Sequence, residues 1–196
     1  MGYTHSWLRE NKTSRHVSMT KRKKLLPIVQ NIFSRYEAML TSAVMGERKQ
    51  PVGLTLESED IFFNGIGEDA HEAFYFPWVL DTTSQRYSQR RHHTSEFCKT
   101  AHKPYDDPVM EILIVLKHFI PGLAVDSDGF KMKGECPEEG WLKAAKRVRN
   151  LYGIVTDLFY WDSDEERDDV PAKPRWCLSA ENLRAIKRPV SSFATK

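Results

Sequence analysis

Cysteine is scarce and unclustered in this chain: Cys98, Cys136 and Cys177 stand far apart, and no two form a CxxC pair. That spacing excludes a disulfide-stapled scaffold and a zinc-finger framework, and it implies a reduced, cytoplasmic protein. Long apolar runs are missing as well. The best of them, VMEILIVLKHFI, is short for a membrane span and carries Glu111, Lys117 and His118. The opening MGYTHSWLRENK has no apolar stretch of the secretory kind. Glycine-rich phosphate loops and the GxSxG serine elbow are absent, which disfavours those nucleotide cradles and hydrolases. Without HExxH or another tight ligand spacing, neither a metal nor a cofactor is implied. Charge of one sign is also lacking: 29 basic against 27 acidic residues give a net +2, too little for a general polyanion binder.

What is present is an ordinary globular composition, 40% hydrophobic and 29% charged over 196 residues, enough for one sizeable core. The charge is segregated. Residues 9–24 hold Arg9, Lys12, Arg15, Lys21, Arg22, Lys23 and Lys24 against Glu10, whereas 157–169 hold Asp157, Asp162, Asp164, Glu165, Glu166, Asp168 and Asp169 against Arg167. Two solvated faces, or a basic arm facing an acidic segment, both fit this pattern.

Alternation in YTHSWL predicts a strand almost at the terminus. Residues 9–23 read as a polar loop, followed by a helix that Pro27 restricts to a start near 24–26 and Gly46 stops. GLTLES and DIFFNGIG predict two strands, HEAFYFPWVL another, and EFCKT a short one with Cys98 opposite Phe97 and Lys99. DPVMEILIVLKHF is apolar around its whole circumference, so it predicts a central buried helix near 107–120, with Asp106 or Asp107 as N-cap and Pro108 in its first turn. LAVDSDG predicts a strand and tight turn, and PEEGWLKAAKRVRNLY a third helix. The pattern is α+β with a mainly antiparallel sheet and about three helices. One domain is expected over 1–155, with 156–196 an acidic, proline-containing extension.

The strand-to-helix junction 98–107 is the strongest candidate site. A helix start favours an anion, and Lys99 and Lys103 precede it; equally, Asp106 and Asp107 can cap that helix themselves. His5, His71 and Glu72 are polar groups on strands, to be paired within the fold or turned to a ligand. Cys98 reads as a small core residue, with a nucleophile as the sharper alternative. DSDG at 126–129 lacks the later ligands of a calcium loop and reads as a turn.

The segments MGYTH-W, NG, HE-F-FP, FCKTA-KPYD and V-SDG, in that order over residues 1–130, resemble a group of small proteins of tailed phages and some bacteria that usually begin GYTHYW. The resemblance implies no activity. It marks Tyr3, Thr4, His5, Asn64, His71, Glu72, Cys98, Lys99, Thr100, Tyr105, Asp106 and Asp128 as characteristic positions, many of them polar where a bare fold would use apolar residues.

Together these features lead to an expectation of a phage-type accessory protein in the host cytoplasm that binds a small anionic, nucleotide-like ligand and sequesters a host defence signal. Lys99, Lys103 and the helix start would hold phosphate. His5, Asn64 and Asp106 would bond sugar or base, Tyr3 or Tyr105 would stack, and His71, Glu72 and Thr100 complete the ligand-binding set. Two rivals stand beside it. One is an enzyme acting on a nucleotide or phosphorylated metabolite, with His5 or His71 as base. The other is an inhibitor of a host protein working through the basic loop 81–95 or the acidic tail. A homo-oligomer is compatible with each.

Overall fold

The computed structural model describes residues 2–9, 12–46, 49–80, 87–88, 93–130 and 137–156, with the backbone alone at 12, 13, 87, 88 and 93–95. Cys136, Cys177, most of the basic loop and the acidic tail lie outside the described residues.

The first strand, β1 (Thr4–Arg9), buries alternate residues: His5, Trp7 and Arg9 point inward, and Thr4, Ser6 and Leu8 point to the other face. It is followed by a single turn, α1 (Lys12–Arg15), and then by α2 (Met19–Arg35). Next come β2 (Leu40–Thr41), β3 (Asp60–Gly65), β4 (Phe74–Pro77), β5 (Tyr87–Ser88) and β6 (His93–Lys99). The central helix α3 (Asp106–Phe119), β7 (Leu123–Ser127) and α4 (Glu139–Tyr152) complete the order. Two antiparallel sheets result, one ordered β5-β6-β1-β7 and the other β2-β3-β4. The fold is α+β, as the sequence pattern implied.

Helix α3 runs through the core against α2, α4 and β7, burying every residue from Pro108 to Leu116. Each large aliphatic side chain placed there contributes about 1.5–3 kcal/mol of hydrophobic stabilisation, so the apolar circumference of this segment dictates its central place. Glu111 is the polar exception, fully buried. Its carboxylate accepts from Tyr36 Oη at 2.7 Å and from the Arg35 guanidinium, with Arg147 Nε 2.8 Å away in a close ionic contact rather than an aligned hydrogen bond. That knot joins α2, α3 and α4.

Three local expectations are corrected. Helix α2 begins at Met19, within the expected loop, and ends at Arg35, well before Gly46. Pro27 is interior but exposed, as is Lys23, so water can serve the Lys23 carbonyl that the proline leaves without a donor. Residues 53–58 form no strand; Leu54 is buried, and its carbonyl accepts from Gln30 Nε2 at 2.8 Å, docking the segment on α2. The N-cap of α3 is Tyr105, with no side-chain cap bond, because the Asp106 carboxylate is engaged elsewhere.

Candidate functional site

Where β6 ends, the chain must reverse to enter α3. It does so through Ala101 and His102, two consecutive residues in the left-handed region at φ 52° and 57°. Non-glycine residues adopt that conformation at a cost, so surrounding bonds have to impose it. Thr100 N–H and Ala101 N–H both donate to Tyr3 O, at 2.9 and 3.3 Å, and Lys103 N–H donates to Thr100 O at 3.0 Å. The His102 ring stacks on Tyr3 with centroids 3.7 Å apart.

This reversal carries Asp106 to the inward face of β1. His5 Nε2 lies 2.5 Å from Asp106 Oδ1, and Thr100 Oγ1 donates to the same oxygen at 2.6 Å. On the other side of the ring, His5 Nδ1 is 2.9 Å from Ser127 Oγ. Ser127 Oγ accepts from Gly129 N–H and from Trp141 Nε1–H, each at 3.0 Å. Those two donors occupy both lone pairs of the hydroxyl, so its own hydrogen goes to His5 Nδ1. His5 then carries its proton on Nε2 and donates it to Asp106. Gly129 is required here, since a Cβ would sit 2.0 Å from Tyr3 Oη.

A serine, a histidine and an aspartate in hydrogen-bonded series have the outline of a nucleophile relay. The Ser127 hydroxyl is nevertheless saturated by its three partners, and both it and His5 are buried. A substrate would have to displace protein donors to reach it. The series therefore works as a pin that fixes β1, β7, α3 and α4 to one another.

A second set of bonds closes the joint between the two sheets. His71 Nδ1 donates to Lys99 O at 2.8 Å, and Lys99 N–H donates to Glu72 Oε2 at 2.9 Å. Tyr105 Oη donates to Glu72 O at 2.7 Å, and Cys98 Sγ donates to the same carbonyl at 3.2 Å. The Asn64 carboxamide donates to Val44 O and His71 O and accepts from Gly65 N–H and His71 N–H. Burial pushes the Cys98 thiol and the Tyr105 phenol far up, so neither supplies an anion.

The structure thus brings Tyr3, His5, Thr100 and Asp106 together in one network, and Asn64, His71, Glu72, Lys99 and Tyr105 in another. In six of the ten expected residues, Tyr3, His5, Asn64, Thr100, Tyr105 and Asp106, the side chain is buried. Lys103 Nζ donates to Glu68 O at 2.7 Å. At the α3 start, Pro108 has no N–H, and Asp106 and Val109 donate to Lys103 O and Tyr105 O. Asp106 and Asp107 add carboxylates there, with Asp107 2.9 Å from Arg147.

The exposed chemistry lies on the outer face of the β5-β6-β1-β7 sheet. Register places Phe97, Ser6 and Asp126 side by side on three strands, and pairs Lys99 with Thr4 in the next row. Asp128 extends that row: its Oδ2 accepts from Thr4 N–H at 2.8 Å. A depression of 390 Å³ is lined by Thr4, Ser6, Asp126, Ser127, Asp128 and Phe130. Burial, then the Asp128 charge, pushes the Asp126 carboxyl up against a backbone bond from Ser127 that lowers it. Sequence reasoning missed Ser6, Phe97, Asp126 and Ser127 as a group, because their adjacency depends on cross-strand register. The alternation of β1 was the available signal.

Among the described residues no three His, Cys, Asp or Glu side chains are grouped to hold a metal ion, and no helix is long and apolar enough to cross a membrane. Comparison with protein-family models, curated proteins and solved structures found no match to this chain.

Proposed function

We propose that this protein binds a small nucleotide-like ligand on the open face of its four-stranded sheet, as a binder rather than a catalyst. The observation that carries the reading is the strand register: an aromatic ring (Phe97), a cation (Lys99), two hydroxyls (Thr4, Ser6) and two carboxylates (Asp126, Asp128) stand in adjacent rows. Neighbouring strands are about 4.8 Å apart, so the array has the span of a nucleotide. An aromatic platform takes a base, an ammonium takes a phosphate, and carboxylates with hydroxyls take the hydroxyl groups of a sugar. The buried pin behind β1 holds this face rigid, which lowers the ordering cost of binding. Sequestration of a nucleotide signal by a phage-type accessory protein is the role such a binder would fill, following the motif resemblance.

Isothermal titration calorimetry tests this with a nucleoside monophosphate and its nucleoside, on wild type and Lys99→Ala. A charge-assisted bond of about 1.5–3 kcal/mol corresponds to roughly tenfold to hundredfold in affinity. The phosphate should confer that advantage on wild type and lose it in Lys99→Ala. Absence of heat, and of any shift in melting temperature, with every nucleotide tried would defeat the reading.

A further inference from the structure

Beside this face lies a second, smaller groove of 220 Å³ lined by Glu72, Ala73, Tyr75, Glu96 and Phe97. It runs between β4 and β6, where the two sheets meet. Two aromatic side chains stand in solvent here: Tyr75, between the fully buried Phe74 and Phe76, is 47% exposed, and Phe97, next to the fully buried Cys98, is 48% exposed. Two such rings at the rim of one concave site offer a ligand an apolar surface there. The groove suits a flat ring and is too small for a larger ligand.

Its electrostatics select the ring. Burial first, and then the Asp60, Glu96 and Glu59 charges, push the Tyr75 phenol up, with Arg9 opposing. A field of that sign repels phosphate and favours hydrogen-bond donors. Glu72 is half-buried, and its Oε2 already accepts from Lys99 N–H, which fixes the carboxylate at the groove wall. A carboxylate only accepts. Among the common bases, guanine alone offers two adjacent donors, N1–H and N2–H₂, to such a pair of oxygens. The edges of adenine and cytosine each pair a donor with an acceptor, which a carboxylate meets with repulsion.

We propose that the groove takes the guanine base of the ligand, with Glu72 accepting from its donor edge and Tyr75 and Phe97 packed against the ring. This rests on the nucleotide reading above and specifies it. Phe97 belongs to both the groove and the open face. Lys99 follows it by two residues on the same side of β6, about 7 Å along the strand. The base therefore sits in the acidic groove while the phosphate leaves it toward Lys99.

Calorimetric titration of the full chain with GMP, AMP, CMP and UMP, on wild type, Glu72→Gln and Tyr75→Ala, tests the assignment. Wild type should bind GMP about tenfold to hundredfold more tightly than the others, the discrimination that a bidentate contact provides. Glu72→Gln keeps an oxygen for Lys99 N–H and should flatten that preference. Tyr75→Ala alters an exposed side chain and should weaken GMP binding without changing the melting temperature of the free protein. Equal affinity for all four nucleotides in wild type overturns the guanine assignment and leaves the nucleotide reading standing. A guanine preference that survives Glu72→Gln overturns the role of Glu72. Binding of none of the four overturns the nucleotide reading and the base assignment with it.

Discussion

The 2.5 Å contact between His5 Nε2 and Asp106 Oδ1 ties the first strand to the first turn of the central helix. Both groups are buried, and Thr100 Oγ1 shares the same oxygen. Asp106→Ala leaves the His5 N–H without its acceptor and the Thr100 O–H with only the longer contact to Tyr3 O at 3.4 Å. Unfolding free energy should fall by about 3–5 kcal/mol, the range for breaking a buried charged contact from one side. Asp106→Asn retains an oxygen for both donors and should cost less than half as much. Urea denaturation of the two variants checks the order, and equal losses would show that the carboxylate oxygen is not the tie.

Ser127→Ala probes the other half of the pin. The substitution removes one acceptor used by Gly129 N–H and Trp141 Nε1–H and the donor to His5 Nδ1. A loss of about 2–3 kcal/mol is expected, since each stranded buried group costs about 1–3 kcal/mol and the costs of groups sharing one partner do not add in full. Indole fluorescence should shift, because Trp141 loses its partner. A relay nucleophile would behave differently: stability would change little, and ligand turnover would vanish.

The Glu111 knot sets a third expectation. Glu111→Ala strands the buried Tyr36 hydroxyl and takes the carboxylate from Arg35, while Arg147 keeps Asp107 at 2.9 Å. Both arginines are partly exposed, at 26% and 36% of their side chains, so they can swing toward water. The loss in urea denaturation should therefore be about 2–3 kcal/mol, below the full cost of an enclosed ion pair. A loss under 1 kcal/mol would mean that the three helices hold together by apolar packing alone.

Much of this architecture was legible in the sequence where one signal dominated. The apolar residues that surround the axis of 109–119 had no place except the core. Alternation in YTHSWL and in the FYFP part of HEAFYFPWVL separated the two faces of each strand, although His71 and Glu72, expected on that strand, precede it. Legibility failed where two signals competed. Pro27 argued for a helix start, yet an exposed proline is tolerated when water serves the freed carbonyl, so α2 extends back to Met19. The polar motif residues were found, but their use was not. Asn64 and Tyr105 spend their side chains on backbone groups at the joint between the two small sheets, and Thr100 spends its hydroxyl on the Asp106 carboxylate. Which outward residues share a row depends on register, and register is set by pairing between segments about a hundred residues apart, which local patterning does not encode.

Cys98 should be inert in the native protein. It is fully buried, burial raises its thiol well above the ordinary value of 9.0, and its Sγ donates to Glu72 O. Thiolate is the reactive form, so alkylation by iodoacetamide at pH 8 should leave Cys98 unlabelled in native protein and label it fully in urea. Peptide mapping separates it from Cys136 and Cys177. Rapid native labelling of Cys98 would revive its candidacy as a nucleophile.

Asp126 makes a prediction about pH. Its carboxyl lies above the ordinary 3.8 in the folded protein, chiefly through burial and then through Asp128. The native state therefore holds this proton more tightly than the unfolded chain does. Stability falls as pH rises from about 3.8 through the folded value, and the penalty is constant above it. Asp126→Asn removes the titrating charge while keeping an oxygen for Ser127 N–H, so the variant should melt higher than wild type at pH 7. The difference should shrink toward zero as both are titrated below pH 3.8. In calorimetry at pH 7 the same variant should bind a nucleotide more weakly if, as proposed, the carboxylate that costs stability is one that meets the sugar. A variant that melts lower than wild type at pH 7 would show that Asp126 serves the fold, and unchanged affinity would remove it from the binding face.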